Sequence, residues 1–380
     1  MKKFTHYPIL FLLLSNTFFA LAQNRFCQFN QIFQGNHSNK ELQKAEDNDS
    51  MLYIPVVVHI VYNQAEENIP DSIIQTQMAS LNQDFQFQHI DTATVLESFK
   101  MLTANCKLHF YLATLDENSF PTSGITRTST SHGPFGNDDI HFTALGGKDA
   151  WNTQKYLNVW ICNLAPGIGG YGTPPGTSSE KDGVVIHYEY VGNSSYPTRN
   201  KGRTLVHEIG HYLGLDHPWA TGGCVDDGIA DTPVQEGPSS GCELNKTSCN
   251  SLNMIQNFMD YSDDDCRLFF TKGQKAVMRN TILTSRKGLL ENVVNVIEEK
   301  EAFPFAIYPN PSLDGIFHLE FPFSPKIKKL EIINSLGKVV QSYSWVHFLF
   351  TLNLQKFPKG FYYLKVDTNQ NVYFQPIVYF

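Results

Sequence analysis

The eleven residues HEIGHYLGLDH, His207 to His217, constrain this chain more than any other stretch. Thirteen histidines are spread over 380 residues, yet three of them fall here. Leu205, Val206, Ile209, Tyr212 and Leu213 recur at the spacing of a buried helix, with Thr204 a candidate cap at its start. Residues four apart on a helix project from one face a turn apart, so His207 and His211 can aim ring nitrogens at a single point. Gly214, without a Cβ, can take the left-handed conformation that ends a helix and bends the chain sharply. That bend brings His217 back toward the other two.

Three neutral imidazoles at one point make a zinc site, with zinc–nitrogen distances of about 2.0–2.1 Å and a fourth position left open. An open position marks a catalytic rather than a structural metal, because structural sites close with a fourth protein ligand, often Cys. Glu208 stands beside the first ligand but off the ligand direction, where its carboxylate can reach a water at the metal. HExxH alone recurs by accident. The added Gly and His occur together by chance with a frequency of (26/380) × (13/380), about 0.002. The long form followed by a methionine turn is the metzincin signature. NFMDYSDDDC supplies that turn: Met259 sits in a tight polar segment, with Tyr261 two residues later.

A net charge of −8 argues against a nucleic-acid partner, which needs a basic face. Lys2 and Lys3, the apolar run YPILFLLLSNTFFA and Ala20-Leu21-Ala22 read as a secretory signal over 1–22, too short and too interrupted to span a membrane. No other stretch approaches a spanning length. Seven cysteines suit the oxidising compartment that such a signal implies. Cys224, Cys242, Cys249 and Cys266 cluster after the histidines, and three pairings are open to them. Cys106 and Cys162 fall in strand-like segments, and Cys27 stands alone near the mature N-terminus.

Residues 23–51 are polar and weakly patterned, like a pro-segment. YIPVVVHIVY (53–62) reads as a buried strand, and PDSIIQTQMASLNQDF (70–85) as a helix capped by Asp71 or Ser72. Further strands are expected in CKLHFYLATLD, YLNVWICNL and DGVVIHYEYV, the last preceded by the Gly/Pro-rich loop GIGGYGTPPG. Strands and helices are interleaved, which predicts a mixed sheet with helices packed on it over 52–292. A charged linker, 293–304, leads to repeated short strands with turn signals, a small all-β module over 305–380. The expected class is α+β with a sandwich-like C-terminal domain.

With these residues the chain resembles the pappalysin/cytophagalysin (ulilysin-like) family of metzincins over roughly residues 52–290. YLNVWIC, DGVVIHY, GRTLVHEIGHYLGLDHPW, the DTP of DDGIADTP, QNFMDYSDDDC and FFTKGQKAVM carry the resemblance. It implies a metzincin catalytic domain with a twisted mixed sheet, an active-site helix and an irregular C-terminal subdomain. His207, His211 and His217 would be the zinc ligands, Glu208 the general base and Met259 an apolar floor beneath the metal. Tyr261 would hydrogen-bond the developing oxyanion. The resemblance further implies disulfides Cys224–Cys249 and Cys242–Cys266. It also implies a calcium-stabilised loop using Asp227 and Thr232, with Asp226 or Asp231 as substitutes; DDGIADTP is rich in the hard oxygen ligands that Ca²⁺ takes. Asp265, directly before Cys266, would line the pocket for the residue after the scissile bond and select Arg or Lys by carboxylate–guanidinium pairing. Cys27 could close the open zinc position in a zymogen, as in a cysteine switch.

YPNPSLDG, LEIINSLGKVV and LQKFPKGFYYLKV resemble the type A sorting domain of the bacterial type IX secretion system. A carbohydrate- or protein-binding sandwich is the other reading of those strands. The expected protein is thus a secreted or surface-attached bacterial zinc endopeptidase acting on proteins or peptides and exported through the periplasm by that machinery. The rival, an inactive adhesin on the same fold, would be marked by loss of Glu208 or a ligand; neither is lost.

Overall fold

The computed structural model describes residues 49–120, 122–291, 306–320, 327–334, 338–344, 349–368 and 372–380. The expected signal segment, nearly all of the pro-segment with Cys27, and the linker lie outside them. The chain divides into two compact units at Val294 and Asn295.

In the first unit the long apolar run forms β1 (Leu52–Tyr62), the strand around which the sheet is built. It pairs in parallel with β2 (Leu108–Leu112), β3 (Ile125–Ser129) and β4 (Leu157–Cys162). The sheet ends in β5 (Gly170–Gly172), antiparallel to β6 (Val184–His187), which itself pairs in parallel with β4. Alternate residues of β1 serve opposite faces, as the two-residue period of a strand requires. Val56, Val58 and Ile60 join a core with Ile74, Met78, Leu205 and Ile209, while Val61 joins Trp160, Phe135 and Ile140 on the other side. Burial on both faces explains why these strands read as nearly continuous apolar runs.

Two helices pack on the first face: α1 (Asp71–Phe85) and α2 (Arg203–Tyr212). Their starts differ from the sequence reading. Pro70 is the N-cap of α1 and no side chain caps it. Thr204 lies inside α2, whose N-cap is Gly202 with φ 73°. Of the expected strand 182–191 only Val184–His187 is extended, and Cys106 lies just before β2. Beyond α2 the chain is irregular apart from a short hairpin, β7 (Thr247–Ser248) with β8 (Ser251–Leu252). α3 (Lys272–Leu283) then begins with a reciprocal cap: Thr271 Oγ1 accepts from the Gln274 amide, and the Gln274 side chain accepts from the Thr271 amide.

The second unit is all-β. One antiparallel sheet joins β9 (Ala306–Tyr308), β10 (Ile316–Glu320) and β13 (Leu349–Asn353). The other orders β12 (Val339–Tyr343), β11 (Ile327–Asn334), β14 (Gly360–Thr368) and β15 (Val372–Tyr379). Phe317, Leu319 and Leu352 of the first share one core with Leu330, Ile332, Leu364 and Val366 of the second, the construction of a sandwich.

Candidate active site

Helix α2 is buried along its whole length and clamped at both ends by guanidinium groups. At its start Arg203 pairs with Asp84 at 3.2 Å and Asp91 at 2.8 Å. Past its end Arg286 donates to the Tyr212 carbonyl at 2.9 Å, lies 3.4 Å from the Tyr212 ring centre and pairs with Asp182. A helix so fixed holds its side chains to a defined geometry.

His207 and His211 leave α2 on one face, and the chain turns at Gly214, φ 89°. The three Nε2 atoms of His207, His211 and His217 then lie 3.0–3.3 Å from one another. The Nδ1 atoms of His207 and His211 each lie 2.8 Å from a carbonyl oxygen, of Phe258 and Leu215 respectively. A carbonyl only accepts, so both Nδ1 atoms carry the proton and both Nε2 atoms present lone pairs. Burial pushes the His211 pKa down to about 4 and those of His207 and His217 well below the ordinary imidazole value. Neutral rings whose lone pairs converge repel one another unless a cation lies between them. Ligands about 2.0–2.1 Å from a tetrahedral ion are about 3.3–3.4 Å apart, so the set fits zinc. Among the described residues no other trio of His, Cys, Asp or Glu brings its ligand atoms within 4.8 Å of one another.

Glu208 is fully buried and lies against strand β5. A Cβ built on Gly170 would stand 3.0 Å from Glu208 Cγ and 3.2 Å from its Oε1, and one on Gly172 would strike the Glu208 carbonyl. The Gly-rich segment read as a loop is thus the sheet's edge strand, kept bare where it crosses the helix. Met259 is buried too, and a Cβ on Gly210 would collide with its Sδ. It packs on α2 at Gly210, the residue before His211. Its turn is tied from both sides: Asn257 Oδ1 accepts from the Met259 amide, and Asp260 accepts from Ser239 and Tyr261 amides. The Tyr261 ring centre is 5.5 Å from that of His207 and 4.9 Å from that of His217. Trp219, quoted in the sequence motif but given no role there, joins this group: its ring stacks on His217 at 4.5 Å.

Disulfides join Cys224 to Cys249 and Cys242 to Cys266, the pairs the resemblance implied. Cys106 and Cys162 are buried free thiols; burial pushes that of Cys106 up to about 12. Asp265 is exposed, its side chain at 68%, and pairs with Lys201 at 2.8 Å. The buried carboxylate of that triplet is Asp264, paired with Arg267 and accepting from the Lys201 amide at 2.9 Å. Thr232 Oγ1 donates to Asp227 Oδ1 at 2.7 Å, while Asp227 Oδ2 is buried without a hydrogen-bond partner. Burial first, then neighbouring carboxylates, pushes Asp227 up to about 6; Asp216, which sequence reasoning passed over, rises to about 7 through burial and Asp227. Of the substitutes, Asp226 accepts from Gly228 in its own turn, and Asp231 accepts from Thr271 and Gly273 at the start of α3.

Three converging imidazoles split between a helix and the bend after it, with a methionine turn packed on that helix, are the arrangement of a metzincin metalloprotease. Residues 145–283 match the pregnancy-associated plasma protein-A peptidase family, and the chain belongs to that family. Mirolysin in complex with a small compound is 42% identical, with a TM-score of 0.62 over 65% of this chain and 98% of that one. Mature mirolysin of Tannerella forsythia in complex with a cleaved peptide is 43% identical, with a TM-score of 0.61 over 63% of this chain and 96% of that one. An extracellular metalloprotease of Arthroderma benhamiae is 33% identical over 58% of this chain and 74% of its own length. Residues 306–379 match the secretion system C-terminal sorting domain. The chain is accordingly an exported zinc metalloprotease, and no described helix is long and apolar enough to cross a membrane.

Proposed function

We propose that this protein is an endopeptidase made as a zymogen, with His207, His211 and His217 holding zinc, Glu208 as general base and Tyr261 as oxyanion donor. The convergence of three Nε2 atoms at 3.0–3.3 Å beside a buried glutamate carries the reading. Zinc held by these three imidazoles would supply Lewis acidity, polarising a scissile carbonyl and making a water more acidic. Glu208, buried against β5, would take a proton from the attacking water and pass it to the leaving amine. The Tyr261 phenol donates to the oxygen on which charge develops, a contribution of about 3 kcal/mol for one such donor. Met259 packs against the helix that bears two ligands and keeps them in place. An extended peptide adds to the free edge of β5, which lies directly on Glu208. The test is peptide cleavage by wild type with and without chelator, beside Glu208→Ala, with the cut sites mapped. Equal cleavage by wild type and Glu208→Ala would remove the reading.

Three finer assignments belong to the same proposal. Asp265 selects Arg or Lys after the scissile bond; a basic side chain there competes with Lys201 for the carboxylate, and a peptide library without basic preference would remove the assignment. Asp227 and Thr232 bind calcium, supported by the buried, unpartnered Asp227 Oδ2 with Asp216 nearby. Cys27 closes the fourth zinc position before activation, so Cys27→Ala should be prematurely active. The domain roles follow: signal 1–22, pro-segment 23–51, protease 52–292, linker 293–304 and sorting module 305–380, with the secretion machinery as its partner.

A further inference from the structure

His207 and His211 project from one face of a helix, whereas His217 lies beyond that helix, so helical geometry does not set its ring plane. Trp219, two residues on and 7% exposed, lies flat against it: ring centres 4.5 Å apart, planes within 5°. The same indole meets the Tyr261 ring edge-on at 5.1 Å and 81°. Tyr261 in turn meets His217 edge-on at 4.9 Å and 84°. Trp219, His217 and Tyr261 are therefore one mutually packed set.

Flat stacking has an electronic consequence. An imidazole that gives its lone pair to a dication loses electron density, and an electron-poor ring is drawn to the face of an electron-rich indole. The contact is then stronger with metal present than absent, so it contributes to metal affinity and not only to folding. The edge-on contact to Tyr261 uses the other requirement of aromatic packing, edge toward face, and fixes the phenol's angle.

We infer that Trp219 is a positioning residue for two groups: it sets the ring plane of His217 for the metal and the ring of Tyr261 for the oxyanion. The inference rests on the roles proposed above for His217 and Tyr261. The test compares Trp219→Phe, which keeps a π-face, with Trp219→Leu, of similar bulk but without one. The readouts are zinc affinity by chelator competition, the visible spectrum of cobalt-substituted protein, kcat and KM on a peptide, and the thermal midpoint of the metal-free protein.

Trp219→Leu should weaken zinc binding by about 10–100-fold, the usual cost of losing a group that orients a ligand. It should also alter the cobalt spectrum and lower kcat at saturating zinc more than it changes KM. Trp219→Phe should regain most of the affinity, at a metal-free midpoint equal to that of Trp219→Leu. Equal zinc affinities and spectra for the two variants would overturn the inference, leaving the indole as mere filling. If wild type itself took up no zinc, or cleaved no better than Glu208→Ala, the reading of the site would fall first and carry this one with it.

Discussion

The protease unit and the C-terminal module fill their interiors with different chemistry. In the first, Asp84, Arg203, Asp264 and Arg267 are all within 3% of complete burial, and Arg203 reaches Asp84 across 119 residues of chain. In the second, Phe317, Leu319, Leu330, Ile332, Leu352 and Leu364 form the core, and among its described residues only Ser312 and Glu331 are buried polar ones. Buried ion pairs gain little net stability over apolar packing but are costly to break, because each leaves a lone charge in a poor solvent. Such pairs suit a unit that must hold a helix and a turn to a fixed geometry around a metal. A module without that demand is held by apolar packing.

Substitution and acid should tell the two interiors apart. Glu208→Ala should lower peptide cleavage by about 10²–10⁴-fold while leaving thermal unfolding of both units in place. A zinc chelator should abolish cleavage by wild type and lower the unfolding midpoint of the protease unit alone, because a metal bound only by the folded state stabilises it. Asp264→Ala strands Arg267 inside the protein and should destabilise the protease unit by about 3–5 kcal/mol, read by denaturant unfolding, with no change in the module's transition. Leu364→Ala should cost the module about 2–5 kcal/mol, with export impaired and peptide cleavage by the purified protease unchanged. Acid should separate the two. Burial raises the Asp91 carboxyl, but His89 and Arg203 outweigh it and hold the carboxyl well below its ordinary 3.8. Its contribution is therefore complete above about pH 4 and is lost as the pH falls toward the folded value, so the protease unit should lose stability below about pH 4. Between about pH 7 and pH 4 the protonation of Asp216 and Asp227, raised by burial to about 7 and about 6, acts with the opposite sign and should steady it in the absence of a cation. The smallest effect belongs to Lys365→Ala, which removes a partner of Glu331 at 3.2 Å and should cost under about 1 kcal/mol.

The local part of the site was legible in the sequence. Apolar periodicity marked α2, the spacing of His207 and His211 marked the face on which the imidazoles converge, and Gly214 marked the bend. Met259 was reached through the methionine turn that the long histidine motif calls for, and the C-terminal strands through their turn residues. What escaped depends on residues far apart in the chain. No local pattern distinguishes buried Asp264 from exposed Asp265; Arg203, Lys201 and Arg267 decide it in three dimensions. Thr204 looked like a cap because Ser and Thr favour that position, yet the chain enters α2 through a left-handed glycine and the helix start is held by Arg203. The Gly-rich segment looked like a loop because glycine disfavours strands, while here bareness is what lets a strand cross a helix.

That crossing sets a limit on length. Gly170 and Gly172 face α2, and Tyr171 between them points the other way, its phenol 3.3 Å from His141 Nε2. A strand shifted by one residue exchanges its two faces. One inserted or deleted amino acid ahead of Gly170 would therefore drive a tyrosine into the carboxylate of Glu208 and leave a gap beside His141. The segment can be swapped among relatives only in a fixed frame, and indels in this family should collect in the loops on either side of it.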